Sequence, residues 1–369
     1  GSEMCIRDRF MSQATRLART GQLADATAAI QAALRRGLSP AGARQDDSDV
    51  IDVDAREIRQ PAAPGGQAPA RPAESASPSS APAGKDDVFV AGSFRHASGQ
   101  RDYKLYIPPN AEGRPLPLVV MLHGCTQDAD DFAAGTAMND AARAQGFYVL
   151  YPIQSHQANP QKCWSWFKHN HQQPGRGEPA ILAGMTREII STQAIDPRRV
   201  YVAGLSAGGA MAAILAGAYP ELYAAAGVHS GLAPGAASDL PSALSAMKGG
   251  GAGPTREQAG SGVPTIVFHG DCDATVHPNN ARAVVAASAG TGASVETLAV
   301  PGTGNRRHST RHLYRNPAGD VVAEYWDVQG AGHAWAGGSS RGTYTDRSGP
   351  DASAEMLRFF LARSLGGKP

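Results

Sequence analysis

The chain has no apolar run near the ~20 residues that cross a bilayer and no long basic block. Its 34 Lys and Arg nearly cancel its 33 Asp and Glu, leaving a formal net charge of +1. A membrane span is therefore not expected, and nucleic acid and acidic membrane surfaces are poor candidate partners. Cysteine is scarce: Cys5, Cys125, Cys163 and Cys272 are the whole supply, and none forms a Cys-x-x-Cys pair. That argues against a structural zinc site, and no metal is expected. The leader also lacks the continuous apolar stretch of a secretory signal.

What is present falls into unequal parts. Residues 1–10 (Gly-Ser-Glu-Met-Cys-Ile-Arg-Asp-Arg-Phe) resemble a cloning scar and translated adaptor sequence, which puts the natural start at Met11 and Cys5 outside the fold. Residues 11–60 form an N-terminal segment. Within it, Leu17, Leu23, Ala24, Ile30 and Leu34 recur at helical spacing between arginines, as in one or two short amphipathic helices. The plain reading is a helix packed on the domain or loosely tethered; the sharper one is a helix that adsorbs to a hydrophobic polymer surface. Residues 61–85 are a Pro/Ala/Ser/Gly linker too poor in large apolar groups to fold. The catalytic-type domain is expected over 86–369, with its first strand near Asp87.

From there the pattern is regular. Val88–Phe94 and Arg101–Ile107, joined through Ser98-Gly99, suggest an antiparallel hairpin. Buried strands at Leu118–Leu122, Tyr148–Tyr151, Arg199–Ala203, Ala224–His229, Thr265–His269 and Val321–Val328 alternate with helical stretches near 130–145, 178–194, 207–218, 278–289 and 351–364. Such alternation predicts an α/β fold, a mostly parallel central sheet with helices on both faces. Functional residues of such folds follow the carboxyl ends of the strands.

The stretch Val200–Met211 reads as a buried strand, a Gly204-Leu205-Ser206-Ala207-Gly208 turn and a small-residue helix. That is the form of a nucleophile elbow, with Ser206 on a sharp strand-to-helix turn. Gly338-Ser339-Ser340-Arg341-Gly342 fits the same short pattern, but no apolar strand precedes it, and it is read as a loop. A serine needs a base, and the base needs an acid to orient it. Asp271 and Asp273 follow Thr265–His269, and His333 follows Val321–Val328 in a glycine turn. His308 and His312 lie before a strand and are poorly placed as bases; His169 and His171 sit in a polar loop without a carboxylate cluster. His123-Gly124-Cys125-Thr126-Gln127, at the end of another strand, has the form that supplies a second oxyanion donor. The expected donors are the N–H groups of Cys125 and Ala207.

These motifs, with His269-Gly270-Asp271-Cys272-Asp273-Ala274-Thr275-Val276-His277-Pro278 and Gly332-His333-Ala334-Trp335, resemble the poly(3-hydroxybutyrate) depolymerase family of esterases, in its extracellular-type catalytic domain, over about residues 86 to 366. The resemblance implies an α/β-hydrolase fold and a serine ester hydrolase acting on short-chain polyhydroxyalkanoates or their oligomers without a cofactor. It implies a Ser206–His333–Asp273 triad, with Asp271 the second choice of acid. It also implies a Cys125–Cys163 disulfide pinning Cys163-Trp164-Ser165-Trp166-Phe167 beside the oxyanion hole, against the alternative of two buried free thiols. His123, Trp164, Trp166 and Trp335 are the candidate substrate-binding residues; the tryptophans form either an apolar wall or plain core. Extracellular location follows from the same resemblance, with the cytoplasm as alternative. Two departures count against export and against efficient attack on crystalline polymer: no signal sequence is visible, and no linker and binding domain follow before Pro369. The rival readings are a feruloyl or acetyl-xylan esterase and a non-catalytic polymer- or granule-binding protein.

Overall fold

The computed structural model describes residues 87–366, apart from 110, 112, 251–261 and 291. The expected leader, amphipathic segment and linker of residues 1–85 lie outside the described residues. Within them, ten strands form one sheet in the order β1-β2-β4-β3-β5-β6-β7-β10-β9-β8. Strands β1 (Val88–His96) and β2 (Gly99–Ile107) make the expected hairpin, paired from Val88↔Ile107 to His96↔Gly99. The centre is parallel: β4 (Tyr148–Ile153), β3 (Leu116–Leu122), β5 (Ile195–Leu205), β6 (Ala225–His229), β7 (Thr265–Gly270) and β10 (Val321–Val328).

Alternation along these strands feeds two layers. Leu118, Val120 and Leu122 of β3 join one core with Ile181, Leu182 and Met185 of α3 (Gly177–Thr192) and Met211 and Leu215 of α4 (Ala207–Ala218). Val119 and Met121 point to the opposite face, toward Phe132 of α1 (Ala129–Thr136), Met138 of α2 (Met138–Gln145) and Met356, Leu357 and Phe359 of α7 (Ala352–Leu361). All seven residues of β3 are buried, as expected for a central strand covered on both faces. Between these lie the short α5 (Leu240–Ser245) and α6 (Asn279–Ala289).

Besides α5, which the sequence reading does not include, two departures bear on the sheet and its cover. The helical stretch near 130–145 is two helices, broken at Ala137 with φ 53°. The Ser353 hydroxyl donates to the Thr136 carbonyl at 2.6 Å, which takes up the acceptor that helix continuation would use. The second departure is an antiparallel edge that was not anticipated, β8 (Ser294–Val300) and β9 (Ser309–Arg315), paired with each other and then with β10. Residues 294–299 of β8 are exposed on both faces, so the strand carries no inside–outside alternation to read.

Candidate active site

Strand β5 ends at Leu205, and Ser206 turns the chain into α4 with φ 57° and ψ −119°. A side chain at this φ is costly and needs the surroundings to hold it. The Ser206 N–H is held by the His229 carbonyl at 2.9 Å. The flanking glycines are required by contact: a Cβ on Gly204 would sit 2.4 Å from the Gly208 carbonyl carbon, and one on Gly208 would sit 2.0 Å from the Leu122 carbonyl oxygen. The elbow therefore locks β5, α4 and the end of β3 together, which brings His123-Gly124-Cys125 beside Ser206.

Ala207 is the first residue of α4, so its N–H has no intrahelical acceptor. Among the described residues neither the Ala207 nor the Cys125 N–H has a protein acceptor, and both residues line the crevice beside Ser206. That is the arrangement two oxyanion donors need. Cys125 is joined to Cys163 by a disulfide, with Cα atoms 4.3 Å apart. Cys272 is free and exposed.

His333 arrives on the turn after β10, and its Nδ1 lies 2.7 Å from Asp273 Oδ2. Ser206 and His333 line the same crevice. Asp273 is buried, and its other oxygen accepts the N–H groups of Thr275 and Val276, both at 2.9 Å. Burial alone would raise its pKa, but the charge of His333 and hydrogen bonds from His269 and His333 outweigh it and hold the carboxyl well below the usual range. Asp271 points elsewhere, accepting the Gly330 N–H at 2.6 Å and so tying the loop after β7 to the turn that carries His333. Among the described residues no group of three or more His, Cys, Asp or Glu is arranged to hold a metal ion. His171, in the polar loop, lies against Glu178 at 3.6 Å.

The proposed substrate-binding residues divide. Trp166 lines an apolar cavity of about 70 Å³ that opens beside Ser206. Phe167, Leu232, Leu244, Met247 and Val276 share its wall with the polar Asn159 and Thr275. His123, Trp164 and Trp335 do not line it and are corrections to the sequence reading: each is 1% exposed or less. The Trp164 indole N–H donates to the His123 carbonyl at 3.1 Å, and the Trp335 indole N–H to Ser353 Oγ at 3.1 Å, so both find their polar partner inside the core. His123 accepts the Gln154 N–H at Nε2 (3.1 Å), which leaves Nδ1–H to donate to the Gly124 carbonyl at 2.7 Å. Burial pushes its pKa down to about 4, so the ring is neutral and serves as a strut under the Gly124-Cys125 loop. His229 plays the same part elsewhere: burial, with repulsion from His269 and His333, pushes it down to about 3, and its Nε2 accepts the Ala336 N–H at 2.9 Å.

Several contributors were missed. A buried network of Arg101, Gln154 and Glu178 holds the aromatic loop, with Glu178 accepting the Ser165 N–H at 2.7 Å and Gln154 donating to the Cys163 carbonyl at 3.0 Å. Gln127 accepts the Gly124 N–H at 3.0 Å and donates to Asp131 at 2.8 Å. Tyr344 lines the crevice with Ser206 and His333. Its only sequence signal is position, eleven residues after the histidine in a glycine-rich loop.

A family model described as Esterase PHB depolymerase matches residues 101–310. The Poly(3-hydroxyalkanoate) depolymerase C of Paucimonas lemoignei is 33% identical over 239 residues, which are 62% of this chain and 56% of that protein. Feruloyl esterase B of Thermothelomyces thermophilus is 34% identical over 140 residues, 38% of this chain and 47% of that protein. The chain thus spans about half the length of the curated relatives it matches. A solved acetyl xylan esterase from Aspergillus awamori aligns over 63% of this chain and 89% of its own, with a TM-score of 0.51 and 22% identity. At that identity the likeness concerns the fold, which is that of the α/β hydrolases.

Proposed function

The chain belongs to the esterase PHB depolymerase family, and from that footing we propose that it is a serine ester hydrolase acting on short-chain polyhydroxyalkanoates or their oligomers. The observation that carries the reading is the crevice itself, where Ser206 on its strained turn shares a wall with His333, and His333 is oriented by Asp273 at 2.7 Å. His333 takes the Ser206 proton as the oxygen attacks an ester carbonyl, and the tetrahedral oxyanion is held by the N–H groups of Cys125 and Ala207. His333 then gives that proton to the departing alkoxide. Water, deprotonated by the same ring, cleaves the acyl-enzyme and regenerates Ser206.

The cavity beside Ser206 supports a short acyl group. Its lining is mostly apolar, with Asn159 and Thr275 the polar exceptions beside Ser206, which suits the methyl-bearing chain of a 3-hydroxyalkanoate. The Cys125–Cys163 disulfide supports an oxidising, extracellular setting. The described helices include none long and apolar enough to cross a membrane.

The test compares wild type and Ser206→Ala on p-nitrophenyl butyrate and amorphous poly(3-hydroxybutyrate). Wild type is expected to cleave both and the variant neither. Cleavage of the small ester alone removes the polymer as substrate, leaves the esterase, and moves the oligomers and plant esters ahead. A second substrate class has a specific observation behind it, since Feruloyl esterase B and acetylxylan esterases are also among the relatives. Release of acetate or ferulate from xylan faster than hydroxybutyrate from oligomers would favour it. A Ser206→Ala protein with undiminished biological effect would instead favour the non-catalytic binding protein.

A further inference from the structure

Two non-glycine residues on separate loops take left-handed backbone beside the crevice: Thr126 (φ 69°) and Tyr344 (φ 52°). For a β-branched residue such as Thr126 this conformation is a genuine outlier, and strain of that kind persists only where the surroundings enforce it. Here they do. The Thr126 N–H is bound by the Gln161 carbonyl at 2.8 Å, and the Tyr344 carbonyl accepts the Trp335 N–H at 2.7 Å. Asp131 clamps the neighbouring Thr343 through its N–H at 2.8 Å and its hydroxyl at 2.5 Å, while Gln127 ties Asp131 to the oxyanion loop at Gly124. A Cβ on Gly342 would sit 2.4 Å from the Asp131 carbonyl oxygen, so this loop lies directly on α1. The result of all this anchoring is one contact: Thr126 Oγ1 and Tyr344 Oη stand 3.2 Å apart.

The crevice has two sides, and proton delivery tells them apart. His333 must hand its proton to the leaving alkoxide, so the alcohol half of the ester lies on the His333 side, with Tyr344 and Gln127. The apolar cavity lacks His333 and so takes the acyl half. In the Thr126–Tyr344 pair one hydroxyl spends its proton on the other, and the second keeps a proton free to donate outward.

We propose that the paired hydroxyls of Tyr344 and Thr126 form a subsite for an oxygen carried on the leaving alcohol, in a 3-hydroxyalkanoate chain the carbonyl of the next ester unit. The inference rests on the triad reading above, because that reading decides which side is which. It makes the enzyme a selector of esters whose alcohol is itself an acyl unit over plain alkyl esters of the same acid.

Two butyryl esters with similar branched alcohols test this: methyl 3-(butanoyloxy)butanoate, which carries the extra carbonyl, and sec-butyl butyrate, which does not. In wild type the ratio of kcat/KM for the first over the second is expected to be roughly five- to tenfold, the scale of one well-placed hydrogen bond. In Tyr344→Phe, and in Thr126→Ala as a second variant, that ratio falls to near one. A merely structural role would lower both rates together and leave the ratio intact, and that result overturns the proposal. So does a wild-type ratio near one. Cleavage of neither ester defeats the triad reading and the subsite together, whereas failure on amorphous polymer with the ratio preserved removes only the polymer substrate.

Discussion

On one side of Ser206 the wall is apolar, built by Trp166, Phe167, Leu244, Met247 and Val276 and edged by the Cys125–Cys163 bond. On the other side His333 and Tyr344 present hydrogen-bonding groups. An apolar wall discriminates by size, at about 1–3 kcal/mol per methylene, whereas a wall of fixed polar groups rejects a partner that leaves them unpaired. The same serine is thus flanked by a gauge of length and a reader of oxygen. Two buried neutral histidines lie behind the site. His123 carries the oxyanion loop and, through its carbonyl, Trp164; His229 holds Ala336 and stacks on Trp335 on the His333 side.

The largest expected effect ignores this division, and so sets the baseline for it. Asp273→Asn loses the acceptor that fixes the His333 tautomer, and kcat is expected to fall about 10⁴-fold. The fall should be equal for esters differing only in acid or only in alcohol. A loss confined to one kind of alcohol would mean that Asp273 belongs to one wall and does not serve the whole site.

Next in size is the covalent edge of the acyl wall. Replacing Cys125 and Cys163 together by Ser opens a loop with a sequence separation of 38. The chain-entropy estimate puts the stability loss at about 4 kcal/mol. Denaturant unfolding of the double variant against wild type measures it. Preference among acyl lengths should blur in the same protein, and the alcohol ratio should fall by less, through Thr126, which adjoins Cys125 and is held by Gln161 close to Cys163; a change in the alcohol ratio of equal size would show that the walls are coupled.

Much of this is legible in the sequence. The hairpin announced itself through Ser98-Gly99, and the elbow through two glycines that contact geometry makes obligatory. Family resemblance points to Asp273 over Asp271; in the fold the first carboxyl is buried against His333 and the second binds Gly330. The tryptophans were the hard case. A tryptophan near a motif looks the same in sequence whether its indole N–H meets water, substrate or a core carbonyl, and Trp164 and Trp335 found partners inside. Tyr344 was invisible for a related reason, because its meeting with Thr126 depends on Asp131, Gln127 and a glycine contact far apart in the chain. The edge strand β8 offered no alternation at all.

Acid should loosen both walls at once. Burial pushes His123 down to about 4 and His229 down to about 3, while an unfolded histidine titrates near ~6.5. Above the unfolded value neither state binds the proton, and the neutral rings contribute their full stability. As pH falls from there toward the folded values, only the unfolded chain takes up the protons, so stability is lost. With two such rings the slope approaches ~2.7 kcal/mol per pH unit. Below ~4 Asp273 adds to the loss, since its folded pKa is depressed in turn. Thermal unfolding from pH 7.5 to 4.5 follows this directly. A Tm that stays flat to pH 4.5 would sink the neutral-histidine account.

The smallest effect is the one that separates the walls most cleanly. Met247 lines the acyl cavity and is only partly buried, and its flexible side chain can be trimmed without opening the core. Met247→Ala lengthens the cavity by a few carbon positions. Each methylene newly taken out of water is worth ~0.8 kcal/mol, so the kcat/KM ratio of hexanoyl to butyryl p-nitrophenyl esters should rise roughly tenfold. Ala243→Leu, which fills the same cavity from α5, should move the ratio the other way. Neither substitution touches the side that holds Tyr344, so the preference between the two butyryl esters of different alcohol should persist in both variants. If trimming Met247 instead changed the alcohol preference and left the acyl preference alone, the assignment of acyl and alcohol to their sides would have to be exchanged. The Tyr344–Thr126 pair would then face the acyl chain, where a 3-hydroxyl group, and not a second ester carbonyl, is the oxygen within its reach.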